Sequence, residues 1–421
     1  MRYVIIGNSA AAVHAIEEIR KIDTAGELVV FSREPYLAYS RPLITEFLFD
    51  GIPERKMAYR DAAFYRKHAV DLRLGVEVVE IDRKKREVLD SEGERTQYDK
   101  LLLTAGGVPF VPPLKGGDKD NIFTMMTWDS ARQVKKSITK IGHAVVLGGG
   151  LIGMKTAEGI FEAGVKTTVV ELAPQILSRI LDYEGARVFE DYLQKRGMEI
   201  ITGDTVTEVI GDRSVSGVLL RSKREVPCDM IVVAIGVAPN TKIAEESGIE
   251  TNRGVLVNEN MQTSDPDVFA AGDIAESYDI IVDEVRVNAI WPLASQQGRI
   301  AGANIAGGSL AFSGGFPKNA LSLLGLETIS MGHVDPPDDS YEVISKIDRT
   351  DYKYRKFILK DGYVSGGIFI GDIEKAGIIT GLIKNRVHLE GDVSWLLSGV
   401  PQLIWLDKAY RDDKLRKRVL S

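Results

Sequence analysis

Apolar positions in this chain gather into short β-branched runs that stop at glycine-rich turns and give way to helical spacing, and they do so twice. Tyr3-Val4-Ile5-Ile6 runs into Gly7-Asn8-Ser9-Ala10-Ala11-Ala12, and the spacing then predicts a helix to about Ile22 and a strand over Glu27-Leu28-Val29-Val30-Phe31. Ala144-Val145-Val146-Leu147 runs into Gly148-Gly149-Gly150-Leu151-Ile152-Gly153, followed by a helix to about Ala163 and the strand Thr167-Thr168-Val169-Val170-Glu171. Strand, tight turn, helix and strand in this order make a βαβ unit on a parallel sheet.

The stretches from about Asp71 to Asp99 and from Glu199 to Pro227 both alternate apolar and charged residues and break at charged turns. Each precedes another apolar strand closed by glycine: Lys100-Leu101-Leu102-Leu103-Thr104-Ala105-Gly106 in the first, Met230-Ile231-Val232-Val233-Ala234-Ile235-Gly236 in the second. One order of elements used twice is the sign of a duplicated domain. Proline-rich breaks at Pro109, Pro112-Pro113 and Pro239 mark candidate domain crossings. From about Phe312 the pattern turns to hairpin-like strands over 327–334, 354–360 and 363–370, then a helical segment and a Lys/Arg-rich tail.

The 421 residues fit two to three domains at about 150 residues each. A 44% apolar, 27% charged composition excludes disorder and collagen. A net charge of -7 argues against a general nucleic-acid binder, which needs a basic surface. There is no apolar stretch of about 18 residues to span a membrane, and the run after Met1-Arg2 stops at Gly7, too short for a signal-peptide core. Cys228 is the one cysteine, so an intrachain disulfide, a Cys-x-x-Cys pair and a cysteine zinc cluster are all ruled out by count. Such usage fits a reducing compartment, and a cytoplasmic location is expected. No metal site is expected either: His14, His68, His143, His333 and His388 include no pair with ligand spacing, and His14, on the first helix, reads as a core or surface residue.

Gly148-x-Gly150-x-x-Gly153 has the full context of a dinucleotide fingerprint. Gly148 permits the tight turn, Gly150 lets the backbone approach a pyrophosphate, and Gly153 lets helix pack closely on strand. The pyrophosphate charge then meets the helix N-terminus. Glu171, 23 residues after Gly148, is placed to bind a ribose 2'-OH and repel a 2'-phosphate; with Leu172 and Ala173 after it and no Arg, NAD is favoured over NADP. The first fingerprint departs from the pattern, with Ser9 and Ala12 at its second and third glycine positions. Ala12 is an accepted variant, whereas Ser9 adds a side chain where the backbone should come closest to phosphate. Glu34, near the end of the following strand, restores the acidic ribose ligand.

These motifs, with Glu34-Pro35-Tyr36, Tyr39-Ser40-Arg41-Pro42-Leu43, Thr104-Ala105-Gly106, Val237-Ala238-Pro239-Asn240 and the segment Thr263-Ser264 through Ala270-Ala271-Gly272-Asp273, resemble the FAD-dependent pyridine nucleotide-disulfide oxidoreductase superfamily over about the first 310 residues. Within it the chain is most similar to the rubredoxin reductase, ferredoxin reductase and nitrite reductase NADH-binding-subunit branch. The resemblance implies an α/β fold with two Rossmann-like dinucleotide-binding domains and a C-terminal α+β domain. It implies a discontinuous FAD-binding domain over 1–112 and 241–311, an NAD-binding domain over 113–240 and an interface domain over 312–421. It also implies that Gly7, Ser9, Ala11, Ala12, Glu34, Arg41, Pro42, Thr104, Ala105, Gly106, Gly272 and Asp273 hold FAD, and that Gly148, Gly150, Gly153, Glu171 and Gly236 serve NAD(H). Trp291-Pro292 begins a helix through Asn304, and the resemblance puts its N-terminus, with Trp291, near the flavin pyrimidine, where the helix dipole stabilises negative charge.

Two departures set the subclass. Disulfide reductases of the superfamily carry a cysteine pair, and the peroxidase, oxidase and coenzyme A disulfide branch carries one cysteine near the Arg41-Pro42 segment; here 39–45 holds no sulfur, and Cys228 reads as a small packed side chain. Lys155 stands where many relatives have a Glu close to flavin and nicotinamide; it reads either as a charge-reversing catalytic residue or as a surface lysine with a solvated head. The tail Lys408, Arg411, Lys414, Arg416, Lys417 and Arg418, interleaved with Asp407, Asp412 and Asp413, reads as a solvated helix end or as a dock for an acidic electron carrier. The expected function is FAD-dependent electron exchange between NADH and an iron-sulfur carrier such as rubredoxin, a ferredoxin or an iron-sulfur subunit, by a homodimer or a subunit of a redox complex. Three alternatives stay open at this point: an NADH oxidase using oxygen or a quinone, an NAD-responsive interaction module, and, suggested by Ser9, a degenerate scaffold that has lost FAD.

Overall fold

The computed structural model describes residues 1–49 and 52–398. Among them are nine α-helices: α1 (Ala10–Ile22), α2 (Ala62–Lys67), α3 (Trp128–Ile138), α4 (Leu151–Glu162), α5 (Tyr183–Gln194), α6 (Lys242–Glu246), α7 (Trp291–Ile305), α8 (Ala376–Lys384) and α9 (Trp395–Ser398). The chain divides into two compact units. The first takes Met1–Phe110, Met126–Ala131 and Gly236–Phe316; the second takes Val111–Met125, Arg132–Ile235 and the C-terminal part from Pro317.

The first unit is built on a five-stranded parallel sheet in the order Val268–Ala270, Lys100–Leu103, Arg2–Ile6, Glu27–Ser32, Val70–Leu74. Tyr3 to Ile6 are buried on both faces, which is why they form an unbroken apolar run rather than an alternating one. α1 covers one face together with α7, and the two helices meet backbone to backbone. A Cβ at Gly298 would lie 2.2 Å from Ala11 O, and one at Gly302 would lie 2.5 Å from Ala15 O. The alanines at 10, 11, 12 and 15 and the glycines facing them are one packing device on two helices.

The second unit repeats the plan. Its parallel sheet runs Glu199–Thr202, Lys166–Glu171, His143–Leu147, Met230–Val233, Ile122–Thr124. In both units a three-stranded antiparallel piece precedes the strand that returns beside the first one, and its leading strand shifts register at the same step, between Val78 and Glu80 and between Val206 and Glu208. A bulge repeated at one step is what a duplicated domain retains. The second unit also holds a five-stranded antiparallel sheet, Lys318–Leu323, Leu326–Gly332, Tyr363–Ile370, Lys353–Lys360, Glu342–Asp348. That sheet is joined to α5 through a buried knot. Asp182 caps α5 by accepting from Gly185 N at 2.9 Å, and its other oxygen accepts from Tyr354 OH at 2.6 Å and Lys356 Nζ at 2.8 Å. The basic tail from Lys408 lies outside the described residues.

Candidate functional site

In the first unit the strand Arg2–Ile6 delivers Gly7 at φ +110°, a value open to glycine and strained for other residues. A Cβ there would lie 2.3 Å from Thr104 O, so Gly7 and Thr104 are in backbone contact, and Thr104 Oγ1 donates to Ile6 O at 2.9 Å. Ser9 is the N-cap of α1 in an extended conformation and makes no capping bond with its side chain. Ala11 and Ala12 are buried behind it. Gly272, at φ +83°, faces Ala11 and Ala294, and its N–H donates to Gln297 Oε1 at 2.8 Å. Gly106 accepts from Asn240 N at 2.9 Å, which ties the segment after Thr104-Ala105 to the Val237-Ala238-Pro239-Asn240 motif.

Arg41 and Pro42 form a single 3-10 turn with Leu43. The Arg41 guanidinium is ion-paired with Glu34 and donates to Met126 O at 3.1 Å, while Tyr39 OH donates to the other oxygen of Glu34 at 2.7 Å. Glu34 is thus committed to a knot with Arg41 and Tyr39. Burial pushes the Asp273 carboxyl above its ordinary value, against the opposing pull of Arg41, so the two are electrostatic neighbours. Trp291 opens α7 and packs edge to face on Tyr59 at 5.0 Å between ring centroids. Tyr59 OH in turn lies 2.8 Å from His14 Nε2, and His14 Nδ1 lies 2.9 Å from Glu17 Oε2. A neutral imidazole with its proton on Nδ1 satisfies both contacts, donating to the carboxylate and accepting from the hydroxyl. Burial, helped by Arg299 and Arg60, holds His14 below its ordinary value of 6.5 and favours that form.

In the second unit Gly148 stands at φ +114° with Ala234 O against it, and Gly153 packs so tightly on the turn that a Cβ would lie 1.9 Å from Gly148 O. Gly150, the N-cap of α4, has open space on its Cβ side. The Glu171 carboxylate is fixed beside this loop by two backbone donors, Gly149 N at 2.5 Å and Ala173 N at 2.7 Å. Gly236 lies in the first unit, where its carbonyl accepts from Phe110 N at 3.0 Å. Lys155 is ion-paired with Glu158 and reaches Ser322 O at 3.4 Å. Glu158, itself buried, accepts from Leu324 N at 2.7 Å, and Tyr192 OH donates to Leu324 O at 2.7 Å. Lys155 is therefore neither a solvated surface lysine nor an isolated charge; it belongs to a clasp on the turn at Leu324.

The donor set fits a flavin nucleotide in the first unit and a nicotinamide nucleotide in the second. Asn8 Nδ2 and Thr45 Oγ1 are buried polar atoms that find no hydrogen-bond partner among the described residues, both in segments around the first fingerprint and the Arg41-Pro42 turn. Gly150 leaves room for a phosphate at the start of α4, with Glu171 fixed alongside. Asn8 and Thr45 escape a reading of spacing alone: the first is a free position of its motif, and a buried polar atom without a partner shows only in three dimensions. Among the described residues no cluster of His, Cys, Asp and Glu could hold a metal ion, and no helix is long and apolar enough to cross a membrane. Cys228 is buried, and burial pushes its thiol up to about 12.

Residues 1–298 match the family model for pyridine nucleotide-disulphide oxidoreductases. The chain belongs to that family. FAD and NAD(H) are its cofactors. Residues 317–387 match the C-terminal domain of rubredoxin NAD+ reductase. Among curated relatives, the epsilon subunit of the NADH-dependent phenylglyoxylate dehydrogenase of Aromatoleum evansii is 32% identical over 92% of this chain and 92% of its own. The nitrite reductase [NAD(P)H] of Bacillus subtilis is 28% identical over 92% of this chain but 47% of its own, so the chain spans about half the length of that relative. The crystal structure of NADH:rubredoxin oxidoreductase from Clostridium acetobutylicum is 26% identical, covers 93% of this chain and 97% of that one, and superposes with a TM-score of 0.78.

Proposed function

We infer that the protein exchanges electrons between NADH and an iron-sulfur carrier of the rubredoxin or ferredoxin type, or an iron-sulfur subunit of a larger redox complex, from a cytoplasmic location. The single observation that carries this reading is the pairing of a complete two-nucleotide framework with Cys228, buried and pushed up to about 12, as its one thiol. FAD, when bound, supplies the capacity to accept hydride and to release electrons singly or in pairs. With its one thiol buried and held protonated, the chain has no cysteine to receive them, and the electrons go to an external acceptor. The C-terminal match to rubredoxin NAD+ reductase favours a protein acceptor over oxygen or a quinone.

In this reading Gly7, Ser9, Ala11, Ala12, Thr104, Ala105, Gly106 and Gly272 form the close-packed floor under FAD. Arg41, Pro42 and Asp273 supply its charged and turning wall, and Trp291 presents the start of α7, where free N–H groups and the helix dipole favour negative charge. Glu34 would reach a ribose only by sharing its carboxylate with Arg41 and Tyr39. Gly148, Gly150 and Gly153 receive the NAD pyrophosphate, Glu171 the ribose hydroxyls, and Gly236 serves as a turning point after the strand Met230–Val233. Lys155, with Glu158, sets the charge on the nicotinamide side. Stopped-flow reoxidation tests the function: the NADH-reduced protein should pass electrons to rubredoxin or ferredoxin much faster than to air. Rapid reoxidation by oxygen with no response to either carrier would overturn it in favour of an oxidase.

A further inference from the structure

We propose that His14 is a positioning residue for Trp291, acting through Tyr59 as a catch that is closed when the imidazole is neutral and released when it is protonated. The catch is built from side chains of the first unit alone, and its bearing on the reaction rests on the FAD reading of that unit. Three elements meet in it: α1 supplies His14 and Glu17, the segment before α2 supplies Tyr59 and Arg60, and α7 supplies Trp291 and Arg299.

Tyr59 is held at four points. Its N–H donates to Ala38 O at 2.8 Å, its hydroxyl lies 2.8 Å from His14 Nε2, the Arg60 guanidinium covers its ring at 4.3 Å, and the indole of Trp291 meets it edge to face at 5.0 Å. Behind the imidazole, one oxygen of Glu17 lies 2.9 Å from Nδ1 and the other accepts from Arg60 at 2.9 Å. Although burial opposes it, Arg60 and His14 hold the Glu17 carboxyl below its ordinary value, so it is an acceptor. Nδ1 therefore carries the proton, and Nε2 is left to accept from the hydroxyl.

A second proton breaks this pattern. With hydrogens on both nitrogens the ring has no lone pair, and the Tyr59 hydroxyl must turn its proton away with no other acceptor in reach among the described residues. The new charge also faces Arg60 and Arg299, with Glu17 to offset it. Burial, with those two arginines, keeps His14 below its ordinary 6.5, so the catch is closed at neutral pH and opens as pH falls below that value. Trp291 matters because of where α7 begins. Ala294 lies 3.6 Å from the Cβ position of Gly272, and Gln297 accepts the Gly272 N–H at 2.8 Å, so the first turns of α7 line the place where Gly272-Asp273 meets the start of α1. In the FAD reading, a shifted indole alters the wall that α7 presents to the flavin.

The test uses the full chain purified with its flavin and labelled with fluorotryptophan, and follows fluorine NMR and the visible flavin spectrum from about pH 8 to about pH 5. The resonance absent from Trp291→Phe identifies Trp291. It should shift in one step with a midpoint below 6.5, and the flavin spectrum should change with the same midpoint. His14→Gln keeps an acceptor for the hydroxyl and a donor for Glu17 but cannot titrate, so it should hold the high-pH resonance throughout. His14→Leu should show a displaced resonance at every pH, and Tyr59→Phe should lose the step. His68 shares the charges of Glu17 and Arg60, and the step should survive in His68→Gln. If His14→Leu does not fold, His14→Gln and Tyr59→Phe carry the test. A step that persists in His14→Gln, or a wild-type resonance that does not move, overturns the catch. A Trp291 step that the flavin spectrum does not follow overturns the positioning role. A wild-type protein that binds no flavin overturns the reading of the first unit, while its fluorine spectrum still reads the catch.

Discussion

Gly298→Ala isolates the geometry on which the first unit is built. The added Cβ would lie 2.2 Å from Ala11 O, 2.7 Å from Ala11 Cα and 2.8 Å from Ala11 C, all backbone atoms with no rotamer to yield. Overpacking of this kind costs about 1–3 kcal/mol, and contact with rigid backbone places it at about 3. Alanine is a better helix former than glycine by about 1 kcal/mol, leaving a net loss of about 2. In a unit of about 200 residues, 1 kcal/mol moves Tm by about 2–4 °C, so the first unit should melt about 4–8 °C lower. Gly381→Ala in α8 is the control, because its Cβ would meet nothing within 4 Å and it should stabilise by up to about 1 kcal/mol. Differential scanning calorimetry measures both, and flavin content at purification reports the effect on the Gly7–Ser9 loop that α1 carries. A Gly298→Ala protein with unchanged or higher Tm and full flavin would refute the reasoning.

Three further outcomes are expected. Lys155→Glu sets two carboxylates together at Glu158; it should lower both the Tm and the flavin potential and slow reduction by NADH in stopped flow, and an unchanged potential and rate would remove Lys155 from the redox machinery. Cys228, with its thiol pushed up to about 12, should resist alkylation in the folded protein at neutral pH, and Cys228→Ala should keep full turnover with the carrier; a large loss of turnover would restore a thiol step. Burial holds His14, His68 and His143 below their ordinary 6.5, so the unfolded chain binds more protons than the folded one as pH falls through that region. Stability should therefore drop as pH is lowered from about 7 towards 5, and a Tm that rises over the same interval would contradict the sign.

The parallel cores were legible because burial on both faces writes itself as Tyr3 to Ile6 and Ala144 to Leu147, and because the turns need glycine at 7 and 148. α1 ends at Ile22 and α7 begins at Trp291, as the spacing predicts. The strands Lys318–Leu323 and Glu342–Asp348 were not legible: both lie at the edges of their sheet, and the second is exposed along nearly its whole length, so no apolar pattern marks it. Of the candidate site residues, the structure brings Gly7 to Thr104, Gly272 to Ala11, Arg41 to Glu34 and Glu171 to the second loop. That Glu34 is shared with Arg41 and Tyr39 depends on the path of the loop that carries them; Lys155 and Glu158 are an i,i+3 pair on α4 that spacing does show, whereas the anchoring of Glu158 on Leu324 comes from another element and leaves no trace in local spacing.

The Asp182 knot decides where this protein could be cut or recombined. One carboxylate that both caps α5 and receives Lys356 and Tyr354 makes the C-terminal sheet depend on the Rossmann-like part of the second unit rather than hang from it as an appendix. A chain ended at about residue 316 would strand Asp182 and Glu158, two buried acids, without their partners on Lys356, Tyr354 and Leu324. A graft of a foreign C-terminal sheet would have to bring its own lysine and tyrosine to the same carboxylate. Exchange of the C-terminal sheet in this architecture is therefore constrained at one carboxylate at the start of α5.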